Sequence, residues 1–178
     1  LGERMMNARF GDELVNHSTY VIAGDGCLME GISHEAISMA GHLKLSKLIV
    51  LFDDNSISID GSTEMSVSDD QLLRFQASGW DVASVDGHDP NSIIAAIVAA
   101  QKSNMPSLIA CKTIIGRGAP NKEGSSATHG APLGQDELVE ARKKMGWPHD
   151  PFEIPGEIEH AWRAIGKKGS MERENWES

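Results

Sequence analysis

Only two cysteines, Cys27 and Cys111, occur in the 178 residues. That excludes a disulfide framework and points to a reducing compartment, the cytoplasm. Basic residues are also scarce: 16 Lys and Arg against 26 Asp and Glu leave a net charge of −10. Such a chain lacks the basic face that general nucleic-acid or membrane-surface binding requires. It can still hold an anion locally, through a metal ion or helix N-termini. Long apolar runs are missing too. The best, Ile93 to Ala100, is short and alanine-rich, reads as buried helix and falls well below bilayer-spanning length. No signal-peptide pattern opens the chain, and it carries no internal repeat or low-complexity run. The first residue is not Met. Leu1, Met5 and Ala8 share one helical face that Gly11 would stop, so the opening reads as a helix already under way. A piece of a longer protein is the expectation.

What is present is an ordinary globular balance, 40% hydrophobic and 24% charged, enough for one domain with a sizeable core. Strands are expected at Thr19 to Gly24, Leu48 to Asp54, Asp81 to Gly87 and Ser107 to Thr113. Helices are expected at Gly31 to Leu43, Asp69 to Ala77, Asn91 to Ser103 and Gln135 to Met145, with Pro155 to Ile165 a further candidate. A loop rich in Gly, Ser and Asn separates the last strand from the helix at Gln135. Strands and helices alternate, and the strands are continuously apolar. That pattern predicts an α/β fold, a parallel sheet buried on both faces by helices. Residues 1–147 read as this domain, truncated at its N-terminus. Residues 148–178, with Pro148, Pro151, Pro155 and many charges, read as a linker or extended arm toward another domain.

Ligands bind such sheets at the carboxyl ends of the strands. Two polar turns fall there, Gly24-Asp25-Gly26 and Asp53-Asp54-Asn55. Several familiar patterns nearly fit and then break. A dinucleotide fingerprint from Gly24 would need glycine at Met29. A metalloprotease helix from His34 would need histidine at Ser38. A nucleophile elbow at Ser33 would need glycine at Glu35. A calcium loop from Asp53 would put Ser58 at its obligatory glycine. Asp between glycines also suits a plain helix-capping turn.

Gly24-Asp25-Gly26 with an Asn thirty residues beyond Asp25, at Asn55, resembles the diphosphate-binding motif of thiamine-diphosphate enzymes. The stretches GDGCLMEGISHEA, AGHLKL, DDNSISIDG, GWDV and TIIGRGAPNKEGSSATHGAPLG resemble the transketolase family in particular. The likeness covers nearly the whole chain. It implies thiamine diphosphate held through Mg²⁺, with Ca²⁺ or another divalent ion possible. Asp25 would give a carboxylate oxygen, Asn55 an amide oxygen and Ile57 its backbone carbonyl. Mg²⁺ takes about six oxygens, and the diphosphate and water would complete the set. Gly24 and Gly26 would let backbone approach phosphate where a Cβ would clash, and the following helix would point its N-terminus at the charge.

Further residues follow from the same resemblance. His129 matches the active-site histidine near the diphosphate and the substrate, able to move a proton near neutral pH. Glu30 matches an acid near the subunit interface, linked to the partner subunit's catalytic glutamate; its local alternative is interaction with the helix dipole. Ile59 matches a residue packing near the thiazolium ring, with ordinary core packing as its alternative. Asp53 and Asp54 read as shaping the turn, Cys27 as buried, and Lys122 and Arg117 as solvated loop charges. The remaining histidines read as surface or structural.

The implied activity is transfer of a two-carbon ketol unit between sugar phosphates in the pentose phosphate pathway, by a cytoplasmic homodimer. The glutamate that activates the cofactor belongs to a domain that nothing here matches, so the fragment alone is expected to be poorly active. Two alternatives stand beside it. One is a different thiamine-diphosphate enzyme, such as dihydroxyacetone synthase. The other is a non-catalytic cofactor-binding or partner-binding subunit.

Overall fold

The computed structural model describes all residues, 1–178. Helix α1 (Gly2–Phe10) leads into strand β1 (Thr19–Gly24), then helices α2 (Asp25–Met29) and α3 (Gly31–His42). Strand β2 (Leu48–Asp54) is followed by α4 (Gln71–Ala77), β3 (Asp81–Asp86), α5 (Pro90–Ala100) and β4 (Ser107–Lys112). The chain ends in α6 (Gln135–Lys144) and α7 (Gly156–Glu177). The four strands form one parallel sheet in the order β1-β2-β4-β3. All four predicted strands are present, each within a residue of its expected end. No helix is long and apolar enough to cross a membrane.

Alternation along the strands divides the core in two. On one face Ala23, Val50, Phe52, Leu108 and Ala110 pack against Leu28, Ile37, Ala40 and Phe75 of α2, α3 and α4. Trp80 closes this cluster. Its ring meets Phe75 edge-on at 4.9 Å, and its Nε1 donates to the Ile37 carbonyl at 2.9 Å. Gly41 explains how α3 seats here: a Cβ at that position would lie 1.8 Å from the Ser78 carbonyl oxygen. On the other face Ile49, Ile109 and Cys111 pack against Ala96, Ile97 and Ala100 of α5. The sheet thus carries helices on both faces.

Four expectations change. Strand β1 is not buried on both faces. It is an edge strand, and Tyr20, Val21 and Ile22 are exposed, Ile22 by 82%. Helix α5 is half-exposed rather than buried, with Ile94 and Val98 facing outward, because it covers only two strands. The helix expected after Gly26 starts already at Asp25 and is only five residues long. Glu30 (ψ 140°) interrupts it, and α3 begins one residue later. The candidate helix at Pro155 to Ile165 is present and runs on well past Ile165. Residues 156–177 form a 22-residue helix in which no residue is buried, and the ion pairs Glu159–Arg163, Lys168–Glu172 and Arg173–Glu177 run along it at helical spacing.

Candidate functional site

Register sets the site. Gly24 of β1 lies opposite Asp53 of β2, and Asp53 opposite Cys111 of β4. The two polar turns therefore leave the sheet side by side. A cleft of about 470 Å³ opens there. Gly24, Asp25, Gly26, Asn55, Ile57 and Ile59 line it from these turns. His129 lines it from the long loop, with Thr128 and Ile115 beside it. Every predicted cofactor and metal residue is thus gathered in one concavity. Glu30 is not among them: it is exposed, at the N-cap position of α3, and its backbone carbonyl accepts from Ser33.

Asp25 is the only carboxylate among the three proposed metal ligands. One of its oxygens, Oδ2, is buried without a hydrogen-bond partner. Burial pushes its pKa up, and the charge of Asp54 pushes it further. The backbone N–H groups of Asp25, Ser56 and Asn55 act against both. Asp54 is itself paired with Lys112. Asp25 also borders a second concavity, of about 330 Å³, with Asp54, Asp69, Asp70 and Lys112. An unpartnered buried oxygen among other acids is unfavourable by itself and suits a cation.

The Asn55 side chain is held on both sides. Its Oδ1 accepts from the Ile57 backbone N–H at 2.9 Å, and its Nδ2 donates to Asp53 Oδ2 at 3.2 Å. Ser56, between Asn55 and Ile57, has φ of +60°. Left-handed backbone at a non-glycine residue costs on the order of 1–3 kcal/mol. The turn is stabilised by the bond from Thr63 N–H to the Ser56 carbonyl and by the Ile57–Ser62 bridge. The Ile57 carbonyl accepts no hydrogen bond within the chain. The turn therefore presents an amide oxygen with one lone pair in use and a free carbonyl oxygen.

Packing within the chain does not require glycine at positions 24 and 26. A Cβ on either would meet no atom within 4 Å, so it would project into open space beside the cleft. The α2 carbonyls on the far side are tied down. Ser33 Oγ donates to Cys27 O at 2.5 Å, and Arg74 Nη2 donates to Leu28 O at 2.8 Å.

The loop carrying His129 is anchored from below by Glu137, which is 8% exposed. Its carboxylate accepts from the Asn121 side chain, the Asn121 N–H and the Lys122 N–H. The Asn121 side chain, ahead of its backbone N–H and the Lys122 contacts, holds the Glu137 pKa below the usual carboxylate range. Glu123 ties Lys144 to the Gly118 N–H, and its pKa is lowered too, chiefly by Lys144. His88 Nε2 accepts from the Ile114 N–H at 2.9 Å where the loop leaves β4. His129 itself is exposed and follows a short 3-10 turn, Ser126–Thr128.

Three sequence expectations are corrected here. Cys27 is exposed and lines the cleft, because it sits on the outer side of the short α2. Lys122 is not a solvated charge: it is half-buried, and its Nζ donates to the Leu133 carbonyl at 2.6 Å. Ile59 is 75% exposed, which rules out ordinary core packing. The sequence reading also missed the anchors Arg74, Thr113 and Glu137. No local signal marks them, since each acts on residues distant in sequence.

No three His, Cys, Asp or Glu side chains converge anywhere in the chain. A thiolate or imidazole metal centre is therefore not built into it. The cleft lining instead offers oxygen donors, among them the Asp25 carboxylate, the Asn55 amide and the Ile57 carbonyl, which is the donor type that hard cations take.

Comparison with known proteins identifies the family. Residues 1–178 match the family described as "Transketolase, thiamine diphosphate binding domain". The chain is 59% identical over its whole length to a transketolase of Cereibacter sphaeroides, of which it covers 27%. Its structure superposes on transketolase from Campylobacter jejuni with a TM-score of 0.94 and 38% identity, over 98% of this chain and 28% of that one. A Pichia stipitis transketolase in complex with sedoheptulose-7-phosphate matches at a TM-score of 0.84 and 41% identity, over 89% of this chain and 24% of that one. The chain spans about a quarter of the length of these relatives. By sequence and fold, it belongs to the transketolase family, as a thiamine diphosphate binding domain.

Proposed function

We propose that this domain holds the diphosphate of thiamine diphosphate through Mg²⁺, with Ca²⁺ as a substitute, and works within a transketolase. The reaction is transfer of a two-carbon ketol unit from a ketose phosphate to an aldose phosphate, in the pentose phosphate pathway of the cytoplasm. The observation that carries this reading is the gathering of Asp25, Asn55, Ile57 and His129 around one cleft. The unpartnered Asp25 oxygen fits a cation bound there. The sugar phosphate bound by the Pichia stipitis relative supports the substrate class.

Each residue has a part in this reading. Asp25 Oδ2, Asn55 Oδ1 and the Ile57 carbonyl hold the metal. Gly24 and Gly26 keep the phosphate side clear. Ile59, exposed at the rim, offers an apolar surface to the cofactor ring. When bound, thiamine diphosphate supplies the electron sink for carbon–carbon cleavage. His129 then binds substrate oxygen and holds or releases a proton there. Glu30, outside the cleft and exposed, acts across a homodimer interface and not on the reacting atoms. Residues 1–147 form the diphosphate domain, and residues 148–178 lead to a pyrimidine-binding domain.

The test is calorimetric titration of the full-length polypeptide with thiamine diphosphate, with and without Mg²⁺, in the wild type and in Asp25→Ala. The variant should lose Mg²⁺-dependent binding and keep its fold. Unchanged affinity would remove Asp25 from the site.

A further inference from the structure

Asp53 lines the cleft but has no role in the metal set described above. Its two oxygens are both in use. Oδ1 accepts from the Thr113 hydroxyl, and Oδ2 accepts from Asn55 Nδ2 at 3.2 Å. Thr113 is fixed in turn by its backbone N–H, which donates to the Asp54 carbonyl at 3.2 Å. A chain of contacts therefore runs from the end of β4, through Asp53 at the end of β2, to the Asn55 amide.

An asparagine amide can sit in either of two orientations, and its hydrogen-bond partners decide between them. At Asn55 both partners favour the same one. Turning the amide over would set its oxygen against the Asp53 carboxylate, acceptor facing acceptor. It would also set its NH₂ against the Ile57 N–H, donor facing donor. The oxygen is thereby kept on the side of Ile57, which supplies the neighbouring metal ligand. An NH₂ group there would repel a cation.

The same contacts keep Asp53 out of the coordination sphere. A second carboxylate beside Asp25 would add negative charge at a centre that must also accept a diphosphate. The Thr113 hydroxyl and the Asn55 NH₂ each hold one Asp53 oxygen, so turning the carboxylate toward the metal would break both hydrogen bonds.

From this we infer that Asp53, braced by Thr113, is a positioning residue that locks the Asn55 amide with its oxygen toward the metal. The inference rests on the proposed metal role of Asn55 and adds a residue that never touches the cation. Groups that orient metal ligands typically change metal affinity about 10–100-fold when removed.

The experiment measures Mg²⁺-dependent affinity for thiamine diphosphate in the full-length polypeptide, beside the weaker affinity without metal. Asp53→Ala should lower the metal-dependent affinity about tenfold or more, while the metal-free affinity should not fall, because the variant removes a negative charge from the cleft lining. Asp53→Asn keeps an acceptor for Asn55 Nδ2 and should restore most of the loss. Thr113→Val should give a smaller loss in the same direction. In an Asn55→Ala background, Asp53→Ala should add nothing, because its effect passes through Asn55. Equal losses in both backgrounds, or a loss in Asp53→Asn as large as in Asp53→Ala, would overturn the lock. An Asn55→Ala protein with wild-type affinity would overturn the ligand reading beneath it. Thermal midpoints recorded for every variant separate these outcomes from unfolding, and the Thr113→Val and Asp53→Asn proteins test the lock even if Asp53→Ala does not fold.

Discussion

Arg74, on α4, reaches the carbonyl of Leu28, on α2, through Nη2 at 2.8 Å. The two residues are 46 positions apart. Leu28 is buried in the same short helix that begins with Asp25. Five residues make too short a helix to hold itself, because its nucleus forms few internal bonds. Its orientation thus depends on groups that bind its far end, and Arg74 is one of them.

Replacing Arg74 by Met should therefore cost about 1–2 kcal/mol, since the part-buried Leu28 carbonyl loses its hydrogen bond from a charged group. Urea unfolding would measure it. The same variant should weaken diphosphate binding, since the Asp25 turn loses its brace. A protein unchanged in both respects would show that Ser33 alone is enough to fix α2.

Asn55→Asp should weaken binding of thiamine diphosphate even though a carboxylate is a good Mg²⁺ ligand. It adds a negative charge where a diphosphate must sit. It also places a carboxylate against Asp53, where the present amide donates. Titration with the diphosphate at saturating Mg²⁺ decides the matter, and tighter binding by the variant would refute the charge argument.

His129→Ala should slow ketol transfer in the full-length enzyme far more than it weakens cofactor binding. On the proposed reading the diphosphate keeps its metal, whereas the substrate loses a proton donor or acceptor. Positioned acid–base groups contribute about 10²–10⁴-fold to rate. Steady-state rates at saturating cofactor, set beside a separate cofactor titration, make the comparison. A wild-type rate would leave His129 as a wall of the cleft and nothing more.

The fourth expectation concerns pH. Asn121 and Lys122 hold the Glu137 pKa below its ordinary value. A depressed carboxylate pKa contributes stability above the unfolded-state value and loses it as pH falls through the folded-state value. Glu137→Gln should therefore unfold at a lower temperature than the wild type at neutral pH. The gap should close as the solution is taken well into the acid range, where Glu137 is itself protonated. A gap that stays constant with pH would mean that the anchor works by shape and not by charge.

Much of this architecture is legible in the sequence because it is local. Apolar runs such as Leu48 to Phe52 mark strands, and Gly24-Asp25-Gly26 marks the place where one strand must stop. What is not legible depends on partners distant in the chain. Thr113 is 60 positions from Asp53, and Arg74 is 40 from His34, which its guanidinium meets at 3.0 Å. Nothing in Thr113 or Arg74 alone announces those contacts. The apolar run of β1 misled for a related reason. Composition records that a strand can be buried, while its place at the sheet edge decides whether it is.

That place has a consequence for handling the polypeptide. Thr19 to Gly24 carries no charge and no proline, and one whole side of its backbone faces no neighbouring strand. Natural sheets usually discourage pairing at such an edge with lysine, proline or a bulge. Here nothing refuses an incoming strand, and the exposed Tyr20, Val21 and Ile22 would welcome one. The 178-residue chain on its own thus carries a seed for intermolecular sheet growth. Association of the isolated chain in concentrated solution should therefore run through this edge.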